Sequence, residues 1–155
     1  MSEENKTVVI KGVTISAGIV LIVDNKILLC HPTNHEWKNT FSIPKGMVDE
    51  GESIQDAALR ECFEEVGLDL KKLIPEFDIN KYESGIVDYV KKGKLVKQVH
   101  YYVVNTTLKE LKLSSETLPK EMLQIEEVDW AGFLKKEEAK EKAFWRLHSV
   151  LDLLK

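Results

Sequence analysis

Apolar residues recur along this chain with two periods, and the switches between them mark out its elements. Residues 13–23 hold the nearly unbroken apolar run Ala17-Gly18-Ile19-Val20-Leu21-Ile22-Val23. A run with no polar face suits a strand buried on both sides. Asp24-Asn25-Lys26 marks a turn and residues 27–30 a second strand, so a hairpin is predicted over 18–30. Residues 8–10 read as a further strand ahead of it. His31 to Thr40 is a polar loop containing Pro32, Asn34 and Trp37, and Phe41-Ser42-Ile43 is a short strand stopped by Pro44-Lys45-Gly46.

The period then becomes helical. Residues 53–66 predict a helix, with Ser53 and Asp56 spaced as a capping box and Gly67 as its C-terminal stop. Residues 81–91 and 95–107 predict a second hairpin around Lys91-Lys92-Gly93-Lys94, in which Val99, Tyr101 and Val103 alternate with His100, Tyr102 and Val104. Residues 108–120 form an irregular connection, and residues 125–133 contain another strand. Residues 136–154 carry Ala139, Ala143, Phe144, Leu147, Leu151 and Leu154 at helical spacing, which predicts one continuous packing helix. Strands outnumber helices, and two long helices suffice to cover both faces of one mixed sheet, so the expected class is α/β.

Composition narrows the class little further. The chain has 155 residues, enough for a single domain over 1–155, with 43% hydrophobic and 31% charged residues. Its formal net charge of -4 argues against a protein built to hold nucleic acid by its backbone, and leaves open action on one end of an RNA. Cys30 and Cys62 sit among apolar residues with no CxxC pair, and read as small buried hydrophobes in a reducing compartment. No signal peptide is visible in Met1 to Lys6, and the longest apolar stretch is too short to span a bilayer. A cytoplasmic protein without membrane attachment is expected. Oligomeric state is not legible.

The chemistry is concentrated between Gly46 and Leu68. On the predicted helix Glu61, Glu64 and Glu65 stand at i, i+3 and i+4, so their carboxylates share one face. Ala58, Leu59, Cys62 and Val66 form the apolar stripe beside them. Like charges this close repel, and a hard divalent cation that prefers oxygen ligands would give the cluster a purpose. Arg60, placed at i, i+4 to Glu64, would steady that carboxylate. Ahead of the helix, Gly46 lets backbone approach a metal or phosphate unhindered, and Lys45 offers a mobile cation to a phosphate oxygen.

Gly46, Glu52, Arg60, Glu61, Glu64, Glu65, Gly67 and Leu68 stand at the spacings of the Nudix box, which this segment resembles. Cys62 departs from it, replacing the usual large aliphatic residue. Chance would produce such a match in a chain of this length with a probability on the order of 10⁻³. The resemblance implies a Nudix fold, an α/β/α sandwich with a central mixed sheet. It also implies hydrolysis of a phosphate anhydride by in-line attack of water. Mg2+, or Mn2+ in its place, would be held by Glu61, Glu64, Glu65 and the Gly46 carbonyl. Glu61 or Glu64 would act as general base, with Glu52 and Arg60 as orienting members of the catalytic set. Glu126 and Glu127 are candidates for a later acidic contribution, although exposed strand-edge charges would look the same.

The box leaves the substrate open. Pro44-Lys45-Gly46 resembles the variant found in dinucleoside polyphosphate hydrolases, diphosphoinositol phosphohydrolases and decapping enzymes. Lys97, Tyr101 and Tyr102 lie in a segment similar to the lysine-then-aromatic strand of the dinucleoside tetraphosphate hydrolases, and Trp37 is a further candidate for stacking on a base. Where those hydrolases carry a tyrosine beyond the box, this chain has Gly85, between Tyr82 and Tyr89; where ADP-ribose hydrolases carry a proline, it has Glu83. The expected ligand is a small nucleotide or polyphosphate, with a dinucleoside polyphosphate first. A nucleoside triphosphate, a diphosphoinositol phosphate and an RNA 5′ end remain open, as does a Nudix-fold module that senses a nucleotide without cutting it.

Overall fold

The computed structural model describes residues 10–155. The strand expected over residues 8–10 falls outside them, apart from Ile10, which joins no strand. Six strands form one mixed sheet: β1 (Thr14–Val23), β2 (Lys26–Pro32), β3 (Lys45–Met47), β4 (Glu83–Lys91), β5 (Lys94–Thr106) and β6 (Val128–Leu134). Their order is β4-β5-β1-β2-β6, with β3 paired to β1 beside the start of that strand. Only β1 and β5 run parallel; the other pairs are antiparallel.

β1 shows why the apolar run is unbroken. Ile15, Ala17, Ile19, Leu21 and Val23 face one core, whereas Val20 and Ile22 face another. Successive strand residues point to opposite sides, so a strand at the middle of a sandwich must be apolar throughout. The first core is closed by α1 (Ile54–Val66), which contributes Ala57, Ala58, Cys62 and Val66. The second is closed by the C-terminal segment through Ala139, Ala143, Leu147, Val150 and Leu151. Short helices α2 (Leu70–Leu73) and α3 (Leu108–Leu111) pack on the first side.

Two expectations are corrected by the structure. Phe41-Ser42-Ile43 forms no ladder strand; Ser42 exchanges both backbone hydrogen bonds with Cys30 (2.7 and 3.0 Å), and the strand is Lys45–Met47 instead. Pro44 does not stop the pairing, because its carbonyl still accepts from the Ile19 N–H at 3.2 Å. The single helix expected over residues 136–154 is broken into α4 (Lys136–Lys142), a 3-10 turn (Trp145–Leu147) and α5 (His148–Leu151). The break has a tertiary cause. The Phe41 N–H donates to the Lys142 carbonyl and the Phe144 N–H to the Phe41 carbonyl, each at 2.9 Å, so backbone groups that a helix would pair internally bond across to residue 41. Ala143 is accordingly extended (φ -72, ψ 143), yet Ala139, Ala143, Leu147, Leu151 and Leu154 are still buried. Among the described residues no helix is long and apolar enough to cross a membrane.

Candidate active site

α1 begins and ends on side chains and backbone that fix its carboxylates in place. The Ser53 hydroxyl accepts from the Asp56 N–H (3.0 Å), the N-cap bond expected of that pair. Gly67 terminates the helix with φ 74, and its N–H bonds the Phe63 carbonyl at 2.9 Å. Between these ends the apolar stripe turns to the sheet, and Glu61, Glu64 and Glu65 are left along the edge that faces β3.

Arg60 organises the acids. Its Nε and Nη2 donate to the two carboxylate oxygens of Glu52 at 2.8 and 3.0 Å, its Nη1 to Glu61 (2.8 Å) and Glu64 (3.1 Å), and its Nη2 also to the Met47 carbonyl (3.1 Å). Glu52 thus holds the guanidinium in a fork, and it accepts from the Asp49 N–H as well. That bonding to Arg60 holds the Glu52 carboxyl below its usual range. Asp49, which the sequence does not single out, lies 3.5 Å from Arg60 and lines the cavity of the acids. Only its folded position marks it.

Gly46 is required by close approach. A Cβ there would overlap the Glu61 carboxylate, so the glycine backbone and the acid share one wall. The neighbouring Lys45 N–H donates to Glu65 at 3.2 Å. Burial, opposed by the Arg60 hydrogen bond, raises the Glu61 carboxyl. Burial and then the negative charge of Glu61 push Glu65 up to about 8. Lys45 moves the other way, down to about 8, through burial and then the positive charge of Lys97. A carboxyl pushed up and an amine pushed down, side by side, are what a water-poor, charge-crowded cleft produces.

A cavity of about 400 Å³ is lined by Lys45, Gly46, Met47, Asp49, Glu61, Glu64, Glu65, Gln124 and Glu127. A second, of about 230 Å³, shares Lys45, Glu65 and Glu127 and extends past Cys30, Ser42 and Ile43. Of the two later acids, Glu127 therefore reaches the site; it lies in the turn before β6, which the Gln124 N–H ties to the Glu65 carbonyl at 3.1 Å. Glu126 lines neither cavity.

The donor set suits a hard divalent cation. Five carboxylates (Asp49, Glu61, Glu64, Glu65 and Glu127) and backbone beside Gly46 face one space, offset by Lys45 in its lining and by Arg60 behind Asp49, Glu61 and Glu64. Among the described residues no three acidic, histidine or cysteine side chains already converge as ligands, because Arg60 stands between Glu61 and Glu64. Glu64 is the more exposed of the two acids that Arg60 bridges, and Glu52 anchors the guanidinium independently of both.

The remaining candidates are distributed around the sheet. Lys45 and Lys97 meet on the side of the second core, where Lys97 also lies 5.2 Å from the Tyr89 ring centroid. Tyr101 packs on that same core, and its phenol covers Gly85 of β4. An aromatic ring thus reaches the Gly85 position from the neighbouring strand. Tyr102 packs on the opposite core, so the two tyrosines do not face one ligand. Trp37 is stacked on the buried His31 ring at 3.6 Å and is 52% exposed. Each His31 ring nitrogen faces oxygens, Nδ1 the Asp129 carboxylate and Nε2 the carbonyls of His35 and Glu36, so this histidine anchors the loop carrying Trp37. Cys30 and Cys62 are buried and unbridged, and burial pushes the Cys62 thiol up to about 12, which leaves it inert.

Known proteins resemble this chain in sequence or in fold. A stretch of 45 residues, 29% of this chain, is 47% identical to the ADP-ribose pyrophosphatase of Methanocaldococcus jannaschii, and the match spans 27% of that protein. The structure of a C. elegans Ap4A hydrolase superposes with a TM-score of 0.58 at 22% identity, covering 90% of this chain and 93% of the other. A bifunctional NMN adenylyltransferase/ADP ribose pyrophosphatase from Francisella tularensis, complexed with AMP and a Mn ion, gives 0.61 at 18% identity over 93% of this chain and 42% of its own. At those identities the two structures speak to the fold. The profile described as NUDIX domain matches residues 12–152, so the box helix, the sheet and both cores lie inside one recognised unit, and this chain belongs to the NUDIX domain family.

Proposed function

We propose that this protein is a divalent-metal-dependent pyrophosphohydrolase that cleaves a phosphate anhydride in a nucleoside diphosphate linked to another group. The proposed substrate class is a dinucleoside polyphosphate. The observation that carries the reading is the meeting of opposite charges at one cleft: a wall of carboxylates on α1 and, across it, Lys45 backed by Lys97. A polyphosphate needs cations on both sides of its chain. Lysines supply one side, and the acidic wall has a use only if it carries a metal ion.

Glu61, Glu64 and Glu65, with the Gly46 carbonyl, would hold Mg2+, or Mn2+ in its place. When bound, that ion neutralises phosphate charge and makes coordinated water more acidic. The chain's own residues do the rest. Lys45 and Lys97 hold phosphate oxygens on the far side. Glu61 or Glu64 accepts the proton as a water oxygen bonds to phosphorus, the bridging P–O bond breaks, and its electron pair leaves on the departing phosphate. Arg60, clamped by Glu52, positions the two acids. Glu127 is the later acid placed to assist. A C. elegans Ap4A hydrolase is among the proteins that share the fold, and Tyr101 over Gly85 supplies an aromatic ring on the lysine side, which supports the dinucleotide reading.

The test is a panel of nucleotides with Mg2+, products resolved by chromatography. It includes dinucleoside polyphosphates, ADP-ribose, nucleoside triphosphates, diphosphoinositol phosphates and a 5′-triphosphate RNA. Fastest turnover of a dinucleoside polyphosphate is expected. Binding without turnover of any member would replace the enzyme by a nucleotide-sensing module. Within the panel, Glu64→Gln should lower kcat by about 10²–10⁴-fold, the usual worth of an acid–base group or an electrostatic anchor. Its thermal midpoint should not fall, since Glu64 is exposed and one like charge is removed. Near-normal turnover would count against the assignment.

A further inference from the structure

The break in the C-terminal helix leaves a feature that neither core needs. Phe144 turns inward toward Tyr89, but the next residue, Trp145, is 60% exposed. Arg146 lies over the indole at 4.4 Å and over the Tyr89 ring at 5.2 Å, and its Nη2 donates to the Val90 carbonyl at 3.3 Å. The guanidinium is thus held by two rings and a backbone oxygen. Tyr89 is covered and closed to stacking, whereas the indole is open.

The charges around this feature are unbalanced. Among the described residues, none of Lys45, Lys97 and Arg146 forms an ion pair, although the chain carries more acids than bases. Tyr89 links them: Lys97 and Arg146 both sit on its ring at 5.2 Å, and Lys97 lies beside Lys45 at the catalytic cleft. A line of cations therefore runs from Lys45, which faces Glu65 in the cleft, through Lys97 and Arg146 to an exposed indole. An elongated anion with a flat aromatic end matches that sequence of groups. A baseless polyphosphate would have no use for the indole, and an apolar peptide would have none for the cations.

We infer that Trp145 and Arg146 form a distal subsite, in which the far base of a dinucleoside polyphosphate stacks on the Trp145 indole and its nearest phosphate meets the Arg146 guanidinium. The inference rests on the proposed substrate class. It goes beyond it by assigning the residues that read the second nucleotide.

The test uses the full chain and a methylene-bridged, non-hydrolysable dinucleoside polyphosphate, with intrinsic tryptophan fluorescence as readout. The analogue should quench the wild type, and Trp145→Leu should abolish most of that quench. In steady-state assays Trp145→Leu should raise KM for the dinucleoside polyphosphate about tenfold, the size of one lost base–aromatic stack. The inhibition constant of inorganic tripolyphosphate should stay within about twofold in that variant, since it has no base to lose. Arg146→Gln should weaken both ligands. Trp145 is 60% exposed and Arg146 is half-buried outside both cores, so folding is not expected to limit either variant, and equal thermal midpoints check this. Wild-type quench and KM in Trp145→Leu would overturn the subsite. If the wild type cuts dinucleoside polyphosphates and the variant behaves identically, the subsite falls and the substrate reading stands. If the wild type cuts none of them and yet the analogue quenches Trp145, the substrate reading falls and the subsite stands.

Discussion

Glu65 is the carboxyl of the cleft that its surroundings perturb most. It is held against the Lys45 N–H in a space where burial and Glu61 push its carboxyl up from 4.5 to about 8. Between those values the folded protein keeps a proton that the unfolded chain has released. The stability this group contributes is therefore complete below pH 4.5 and is lost as the pH rises through about 8. A divalent ion needs the anion, so binding must expel that proton. Metal affinity should rise with pH by up to about tenfold per unit and level off above about 8, with close to one proton released per ion at about pH 6.5. Calorimetry in buffers of different ionisation heat measures that release; its absence would remove Glu65 from the ligand set. Three neighbouring glutamates were legible as a shared face from their spacing alone. The clamp of Glu52 on Arg60 was less so, because a spacing of eight residues across a loop and a helix carries no periodic signal.

α1 turns that local chemistry into a fixed site through its two ends. Ser53→Ala removes one N-cap bond and should cost about 1 kcal/mol of stability. Gly67→Ala should cost more. It forces an L side chain to φ 74, worth about 1–2 kcal/mol, and brings a Cβ to 2.8 Å from the Met122 carbonyl. It should also disturb catalysis, because residues 122–127 are tied to the end of the helix through Gln124 and carry Glu127 into the cavity. Urea denaturation of both variants checks the order; equal losses would mean that the C-terminal stop is not under this constraint. Both ends were readable, since capping depends on side-chain type and on glycine's access to positive φ. The C-terminal helix was not read correctly. The pattern from Ala139 to Leu154 identified the buried residues but not the break, which is imposed by Phe41 from a distant part of the chain. Propensity and period are local, and a pairing across about a hundred residues overrides them.

Across the whole molecule, the sheet sorts charge as well as apolar surface. One edge of the first layer gathers Asp49, Glu61, Glu64, Glu65 and Glu127, while the second side carries Lys97 and Arg146 with no ion pair among the described residues, and Lys45 stands between the two, beside Glu65 and Lys97. The two sides meet where β3 joins β1, at Gly18 and Gly46. A Cβ at Gly18 would overlap Pro44 and Lys45, so this junction closes only with glycine. The sandwich itself was legible because β1 is apolar on both faces, and a strand with one face in water would alternate apolar with polar residues. The cationic side was legible only at Lys45 and Lys97; Trp145 and Arg146 looked like parts of a packing helix until the break turned them outward. The central claim is that one helical turn of acids grips a divalent ion beside a polyphosphate. Mn2+ paramagnetic resonance with nucleotide present tests it most directly, comparing the wild type with the combined Glu61→Gln, Glu64→Gln and Glu65→Gln protein. Bound Mn2+ is expected in the wild type, and its loss in the folded triple variant. Equal Mn2+ binding by both proteins would contradict the claim.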